Sequence, residues 1–245
     1  RALEGREKVL GNDHPDTLIS VNNLGNVLEN RGQYEEAESA YRRALDGQEK
    51  ILGANHPDTL ATVNNLGIVL ESQGRYEEAE AMYRRTVEMR EKILGPDHPD
   101  TLATASNLGI VLENQGRYKE AEALYRRALE RQEKILGHYH PDTLASVNNL
   151  GIVLEIQGQC DEAEAMHRRV VEGREKMLGP DHPNTLTSIS NLAHVLENQG
   201  QCEEAEKMHR RALEGREKIL GPDHPDTLIS ASNLGIVLAS QGKYE

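Results

Sequence analysis

Two pairs of zinc-binding residue types, Cys160 with His167 and Cys202 with His209, and six histidines, His14, His56, His98, His140, His182 and His224, are the groups in this chain best suited to hold a metal or move protons. Within each Cys–His pair the spacing is seven residues, two turns of a helix, and the pairs stand in columns that elsewhere hold Tyr34 with Tyr41. They read as a repacked core before they read as a zinc site. The six histidines head a His-Pro-Asp tripeptide, His-Pro-Asn at His182, that recurs every 42 residues. Stacked copies would hold these rings apart by roughly the 8–10 Å at which helices pack, too far to share one ion. Outside the repeated columns there is no nucleophile with a base, no carboxylate pair and no Gly-rich phosphate loop. A residue that recurs at a fixed period rarely makes one active site, so the sequence predicts no catalytic, metal or cofactor site and no enzyme.

What must position these residues is the repeat itself. Residues 56–97 and 98–139 are identical at 31 of 42 positions, the mark of recent duplication. The expected organisation is a single array across 1–245: the end of a truncated repeat at 1–13, full repeats at 14–55, 56–97, 98–139, 140–181 and 182–223, and a truncated repeat at 224–245. In one unit, Pro57 to Gln73 carries apolar residues at Leu60, Val63, Leu66, Ile68, Val69 and Leu70, a helical period and not an alternating one. This is helix A. Pro57 suits a first helical turn, Asp58 suits the positive end of the helix dipole, and Gln73-Gly74 is the stop. Helix B follows, with a stripe of Tyr76, Ala79, Tyr83 and Val87 that continues to Ile93 and Leu94 and ends at Gly95-Pro96. A glycine column in mid-helix A (Gly25, Gly67, Gly109, Gly151, Gly235) faces a small column on helix B (Ala37, Ala79, Ala121, Ala163, Ala205), which predicts close approach at a Gly–Ala contact where Ala193 would still fit.

Composition narrows the partners. A formal net charge of -13 repels nucleic acid and anionic lipid, and no apolar run approaches the roughly 20 residues needed to cross a bilayer. The Arg-Arg pairs of helix B (42–43, 84–85, 126–127, 168–169, 210–211) are each preceded at four residues by Glu38, Glu80, Glu122, Glu164 or Glu206, which neutralises a basic ridge. With only Cys160 and Cys202, a reducing, soluble, cytoplasmic setting is expected. Arg1-Ala2-Leu3-Glu4 matches the middle of helix B and Lys243-Tyr244-Glu245 its beginning, so a piece of a longer array is expected, with end-to-end self-association open to it.

Leu66, Gly67, Leu70, Gly74, Tyr76, Ala79, Tyr83 and Thr86 resemble the tetratricopeptide signature over essentially the whole chain; Ala44, Ala128 and Ala212 restore the usual Ala at the last position. The long period, with helix B ending Arg-Glu-Lys-Ile-Leu-Gly-Pro-Asp-His-Pro, resembles the kinesin light chain type. It is also similar to the C-terminal arrays of nucleotide-binding (NLR-like) receptors. A departure is the helix A column Val21, Val63, Ala105, Val147, Ile189 and Ala231, where the family usually has an aromatic. The resemblance implies an all-α, right-handed α-solenoid of antiparallel helix pairs that binds a protein or peptide on the concave helix A face. The roles open to it are the recognition region of a larger signalling protein, a cargo adaptor of the kinesin light chain type, or an architectural solenoid with no specific ligand.

On that face the expected peptide-binding residues fall in columns. One holds Asn23, Asn65, Asn107, Asn149 and Asn191; its neighbour holds Asn22, Asn64, Ser106, Asn148 and Ser190; a third holds Asn26, Ile68, Ile110, Ile152 and His194. An amide offers donor and acceptor to a peptide backbone, though it can equally staple one repeat to the next. Lys and Arg that grip a terminal carboxylate in some relatives are absent from helix A. Glu29, Glu71, Glu113, Glu155 and Glu197 near its end would favour a basic ligand or form a solvated face.

Overall fold

The structure is a computed structural model that describes residues 2–242; Arg1 and Lys243–Glu245, part of the ground for expecting cut repeats, lie outside the described residues. The described residues form twelve α-helices and no strand, an all-α helical repeat. They are α1 (Ala2–Leu10), α2 (Pro15–Glu29), α3 (Tyr34–Ile51), α4 (Pro57–Ser72), α5 (Tyr76–Ile93), α6 (Pro99–Asn114), α7 (Tyr118–Leu136), α8 (Pro141–Ile156), α9 (Cys160–Leu178), α10 (Pro183–Asn198), α11 (Cys202–Leu220) and α12 (Pro225–Ser240). Two compact units divide within α7, one up to Leu124 and one from Tyr125. In the first, α1 to α6 each pack on the next, and α2, α4 and α6 also touch in a row of A helices; in the second, α8 to α12 each pack on the next.

The punctuation is local. Each A helix begins with Pro at its first turn, and the preceding histidine supplies the cap: Nδ1 of His14, His56, His98, His140, His182 and His224 accepts from the backbone N–H two residues on, at 3.2 Å in all six. A neutral ring that accepts at Nδ1 carries its proton on Nε2. His56→Ala should therefore cost about 1 kcal/mol in urea unfolding, and His56→Asn, which restores an acceptor, should recover most of it. At the other end the Arg75 N–H donates to the Leu70 carbonyl and the Gly74 N–H to that of Glu71, both at 2.8 Å, with Gly74 at φ 74 where a side chain would be strained.

The core corrects three expectations. A Cβ on Gly25 would lie 2.5 Å from the Tyr41 ring, one on Gly67 would lie 2.7 Å from Tyr83, and one on Gly151 would lie 2.9 Å from His167. The glycine column therefore makes room for the ring one turn beyond the Ala column, not for the Ala itself. The two Tyr columns also differ: Tyr41, Tyr83, Tyr125, His167 and His209 are core residues, whereas Cys160 and Cys202 are half-buried and Tyr34 is exposed. Finally, Ile93 and Leu94 do not continue the buried stripe. Both are exposed, although helix B runs on as far as Ile93, past the buried Arg90.

Charges lace the B helices. Arg42, Arg84, Arg168 and Arg210 pair with Glu38, Glu80, Glu164 and Glu206 at 2.7–3.0 Å, and Arg43, Arg85 and Arg169 reach Glu7, Glu49 and Glu133 on the preceding B helix at 2.5–2.7 Å. Partial burial pushes the Glu80 carboxyl up, but hydrogen bonds from Arg84 and Arg117 outweigh it and hold the group below its ordinary value.

Candidate ligand-binding face

The A helices place the predicted columns on one face of each unit. Of the fifteen residues named above, Asn23 and His194 are exposed and the other thirteen are half-buried. The two asparagine columns are coupled. Asn65 Nδ2 donates to Asn22 Oδ1 at 3.5 Å and to Asn26 Oδ1 at 3.2 Å; Asn107 Nδ2 donates to Asn64 Oδ1 at 3.5 Å, and Asn191 Nδ2 to Asn148 Oδ1 at 3.2 Å. The hydroxyls of Thr62 and Thr104 also donate to Asn22 and Asn64, at 3.1 and 3.2 Å. Asn65, Asn107 and Asn191 thus each staple their helix to the A helix before, through the side-chain carbonyl of the second column. This leaves Nδ2 of Asn22, Asn64 and Asn148 as donors with no acceptor among the described residues. Ser106 and Ser190 turn their hydroxyls onto their own helix, donating to the carbonyls of Leu102 and Leu186.

The carboxylates near the ends of the A helices are not a free acidic stripe. Tyr41 Oη donates to Glu29 at 2.8 Å and Tyr83 Oη to Glu71 at 3.4 Å; His209 Nε2 lies 2.6 Å from Glu197, and Glu155 is held by His194 and Asn198. Burial raises the Glu71 carboxyl above its ordinary value, a cost offset in part by the Tyr83 hydroxyl. Glu29, Glu71 and Glu197 thus secure core rings and Glu155 ties α8 to α10, so these four carboxylates already have partners within the fold.

A cation column was missed because the sequence was searched for clamp residues on helix A alone. Near the end of helix B stand Arg6, Gln48, Arg90, Gln132, Arg174 and Arg216. Arg90 Nη1 donates to the Asp100 carbonyl at 2.9 Å and to Thr104 Oγ1 at 2.6 Å, and Arg174 Nη1 makes the same pair of bonds to Asn184 and Ser188. Arg216 reaches Ser230 on α12 and both Thr187 and Ser190 on α10. Arg90 and Arg174 are thus held on the A helix that follows, Arg216 on the A helices to either side of it, and Thr104 links Arg90 to the asparagine ladder through Asn64. Arg90 and Arg216 are only 9% and 8% exposed, yet none of Arg90, Arg174 and Arg216 has a carboxylate within ion-pair distance among the described residues. Burial pulls the Arg90 guanidinium below its ordinary value, with Asp100 acting weakly against it. Buried charges are rarely left unpaired, so a column of this kind suits an anionic group brought by a ligand. The signal was present in the sequence as a column that holds only Arg and Gln.

Among the described residues no group of three or more His, Cys, Asp or Glu could hold a metal ion, and no helix is long and apolar enough to cross a membrane.

A family model for the tetratricopeptide repeat matches residues 1–49, 18–92, 61–134, 100–176, 148–218 and 185–245. No curated protein matches the chain. Among solved structures, a Podospora anserina protein described as a kinesin light chain, with nearly identical TPR-like repeats, is 29% identical, with a TM-score of 0.73 over 84% of this chain and 98% of its own. BtubC (BKLC) from P. vanneervenii is 22% identical, with a TM-score of 0.76 over 91% of this chain and 89% of its own. YrrB, described as a TPR protein with an unusual peptide-binding site, is 19% identical, with a TM-score of 0.55 over 95% of this chain and 98% of its own. The last two likenesses bear on the fold alone.

Proposed function

The chain belongs to the tetratricopeptide repeat family, and from that premise we propose that it is a scaffold that binds an extended peptide or protein segment rich in carboxylates on the face of its A helices. The family is in general one of non-catalytic scaffolds for protein interaction. The observation that carries the finer reading is the set of guanidinium groups of Arg90, Arg174 and Arg216, held by hydroxyls of the A helices with no carboxylate of their own. The free Nδ2 donors of Asn22, Asn64 and Asn148 would meet peptide carbonyls beside them, and the half-buried Ile68, Ile110 and Ile152 would take apolar side chains. Where Gln48 and Gln132 replace Arg, a neutral ligand residue would suit, so the column reads a charge pattern along the ligand.

The physiological setting is a recognition region of a larger NLR-like signalling protein; repeats as alike as 56–97 and 98–139 support a surface that varies by duplication. A cargo-adaptor role of the kinesin light chain type has support in the likeness to the Podospora protein.

The test is selection from a peptide library by the folded chain, followed by titration of a selected peptide against Arg90→Gln and Arg216→Gln. Gln already occupies this column at Gln48 and Gln132, so the folds should be kept, as circular dichroism will check. Selected peptides should be rich in Asp and Glu, each substitution should weaken binding about tenfold, and added salt should weaken it further. Selection of basic peptides, or equal binding by the variants, would overturn the reading. Asn64→Ser is a better probe of the ladder than Asn64→Ala, because Ser106 and Ser190 already stand in that column.

A further inference from the structure

One A helix carries a combination of side chains that the others lack. Along α10, Thr187 stands where α4, α6 and α8 have Ala61, Ala103 and Ala145, Ser190 stands in the column of Asn64 and Asn148, and His194 in that of Ile68, Ile110 and Ile152. Ser106 and Ser232 share the second column, but only α10 joins Ser to Thr. Spacings of three and then four residues put all three on one helix face. The exchange is answered from α11. Arg216 Nη2 donates to Thr187 Oγ1 at 3.3 Å, and Nη1 donates to Ser190 Oγ at 3.4 Å and to Ser230 Oγ of α12 at 2.5 Å. Each hydroxyl sends its own proton to a carbonyl of its own helix, Thr187 to Pro183, Ser190 to Leu186 and Ser230 to Asp226. They therefore meet the guanidinium as neutral acceptors and leave its charge uncompensated. Burial pulls that guanidinium below its ordinary value, and the charge of Asp226 opposes this without overcoming it. Arg90 and Arg174 lack such a setting: among the described residues both bond only forward, to α6 and α10, because the helix behind offers Ala61 and Asn64 or Ala145 and Asn148.

We propose that Arg216, Thr187 and Ser190 form a seat for a phosphoryl group, carried by a phosphorylated side chain of the peptide that binds the A helix face; this rests on the reading above. A carboxylate has two oxygens and one charge, and a guanidinium like that of Arg90 suffices for it. A phosphoryl group has three terminal oxygens and close to two charges, and it calls for donors on more than one side. A hydroxyl that accepts from Arg216 and turns its proton outward supplies such a donor, and the carbonyl it leaves keeps its helical N–H partner. Thr187 is exposed and Ser190 half-buried, so a ligand reaches both. One turn on, His194 interrupts the apolar strip and, with Asn198, engages Glu155. Asn191, next to Ser190, is tied to Asn148, whose Nδ2 is open to a peptide carbonyl, so the seat adjoins the peptide ladder.

The experiment compares retention, on the immobilised chain, of three degenerate peptide pools whose fixed central residue is phosphoserine, glutamate or serine, with inorganic phosphate as a competitor. The phosphoserine pool should be retained about tenfold better than the glutamate pool, and excess inorganic phosphate should displace it. Thr187→Ala with Ser190→Asn, which installs the residues of the other repeats, should erase that preference and spare the glutamate pool, whereas Arg216→Gln should weaken both. Ala61→Thr with Asn64→Ser should build a second seat behind Arg90 and raise the preference. Circular dichroism should show every variant as helical as the parent. Equal retention of the phosphoserine and glutamate pools overturns the seat and leaves the acidic-ligand reading standing, and if inorganic phosphate nonetheless binds, the group recognised is the free ion. Retention of the phosphoserine pool alone upholds the seat and overturns the carboxylate reading; retention of neither overturns both. A preference that survives Thr187→Ala with Ser190→Asn overturns the assignment to these residues.

Discussion

Acidification should weaken the second unit around His167 by about 3 kcal/mol, a loss that begins below the ordinary imidazole value of about 6.5 and is complete near 4. The ring is fully buried on α9 and neither nitrogen has a hydrogen-bond partner among the described residues. Burial, with a smaller contribution from His194, pulls its pKa down to about 4. The sign follows from proton binding. Between the two values an unfolded chain holds the proton and the native ring does not, so the unfolded state gains as pH falls. The stabilisation is whole above about 6.5 and lost as pH drops toward 4. His167→Tyr should remove this acid sensitivity, since Tyr41 and Tyr83 fill the same place beside Gly25 and Gly67. Hydrogen exchange in α8 and α9, corrected for the intrinsic dependence on pH, is the readout suited to a repeat protein that need not unfold in one step. An equal loss of protection in parent and variant would refute the assignment to His167.

That histidine shows how far the sequence could be read. Its column was legible as core, because a seven-residue spacing keeps one helix face and Tyr41 and Tyr83 stand in register. Its missing partner was not. Glu29, Glu71 and Glu197 bond the rings of Tyr41, Tyr83 and His209, but Glu155 turns to His194 and Asn198 on α10. Only the packing of successive A helices decides between those partners.

The helices and their ends were legible because their causes are local: Pro57 at a first turn, Gly74 at a stop, and apolar residues at helical spacing. The capping role of His56 was hidden because histidine is not among the usual capping residues, although its Nδ1 stands where an Asn or Ser oxygen would. Periodicity also misled. Ile93 keeps the helical phase of the stripe but lies beyond the length over which α5 meets its neighbours, and phase says nothing of length. On the candidate face, the asparagine columns were legible one at a time, whereas the bond between them joins residues 43 apart. The arginine column was overlooked for a related reason: Arg90 belongs to helix B by sequence, and its bonds to the A helix that follows join residues 10 and 14 apart.

The second large effect concerns the glycine column, and here two physical effects predict opposite signs. Gly67→Ala removes a glycine from mid-helix, which by propensity alone should stabilise the chain by about 1 kcal/mol. Packing opposes it. The new Cβ would lie 2.7 Å from Cε1 and 2.9 Å from Cζ of Tyr83, a ring that is fully buried and tied at its hydroxyl to Glu71. A ring so held cannot swing aside, and overpacking of this kind costs roughly 1–3 kcal/mol. With the contact this close we expect packing to win, leaving Gly67→Ala destabilised in urea unfolding by about 1–2 kcal/mol net. The chain contains the compensated form: Ala193 stands in the glycine column opposite His209, a smaller ring whose Nε2 is anchored on Glu197. Adding Tyr83→His to Gly67→Ala should therefore recover part of the loss, giving a favourable coupling between two sites that are each harmful when changed alone. If Gly67→Ala proves as stable as the parent, or more so, the glycine column is not there to make room for the ring, and the smaller rings at His167 and His209 then need another explanation.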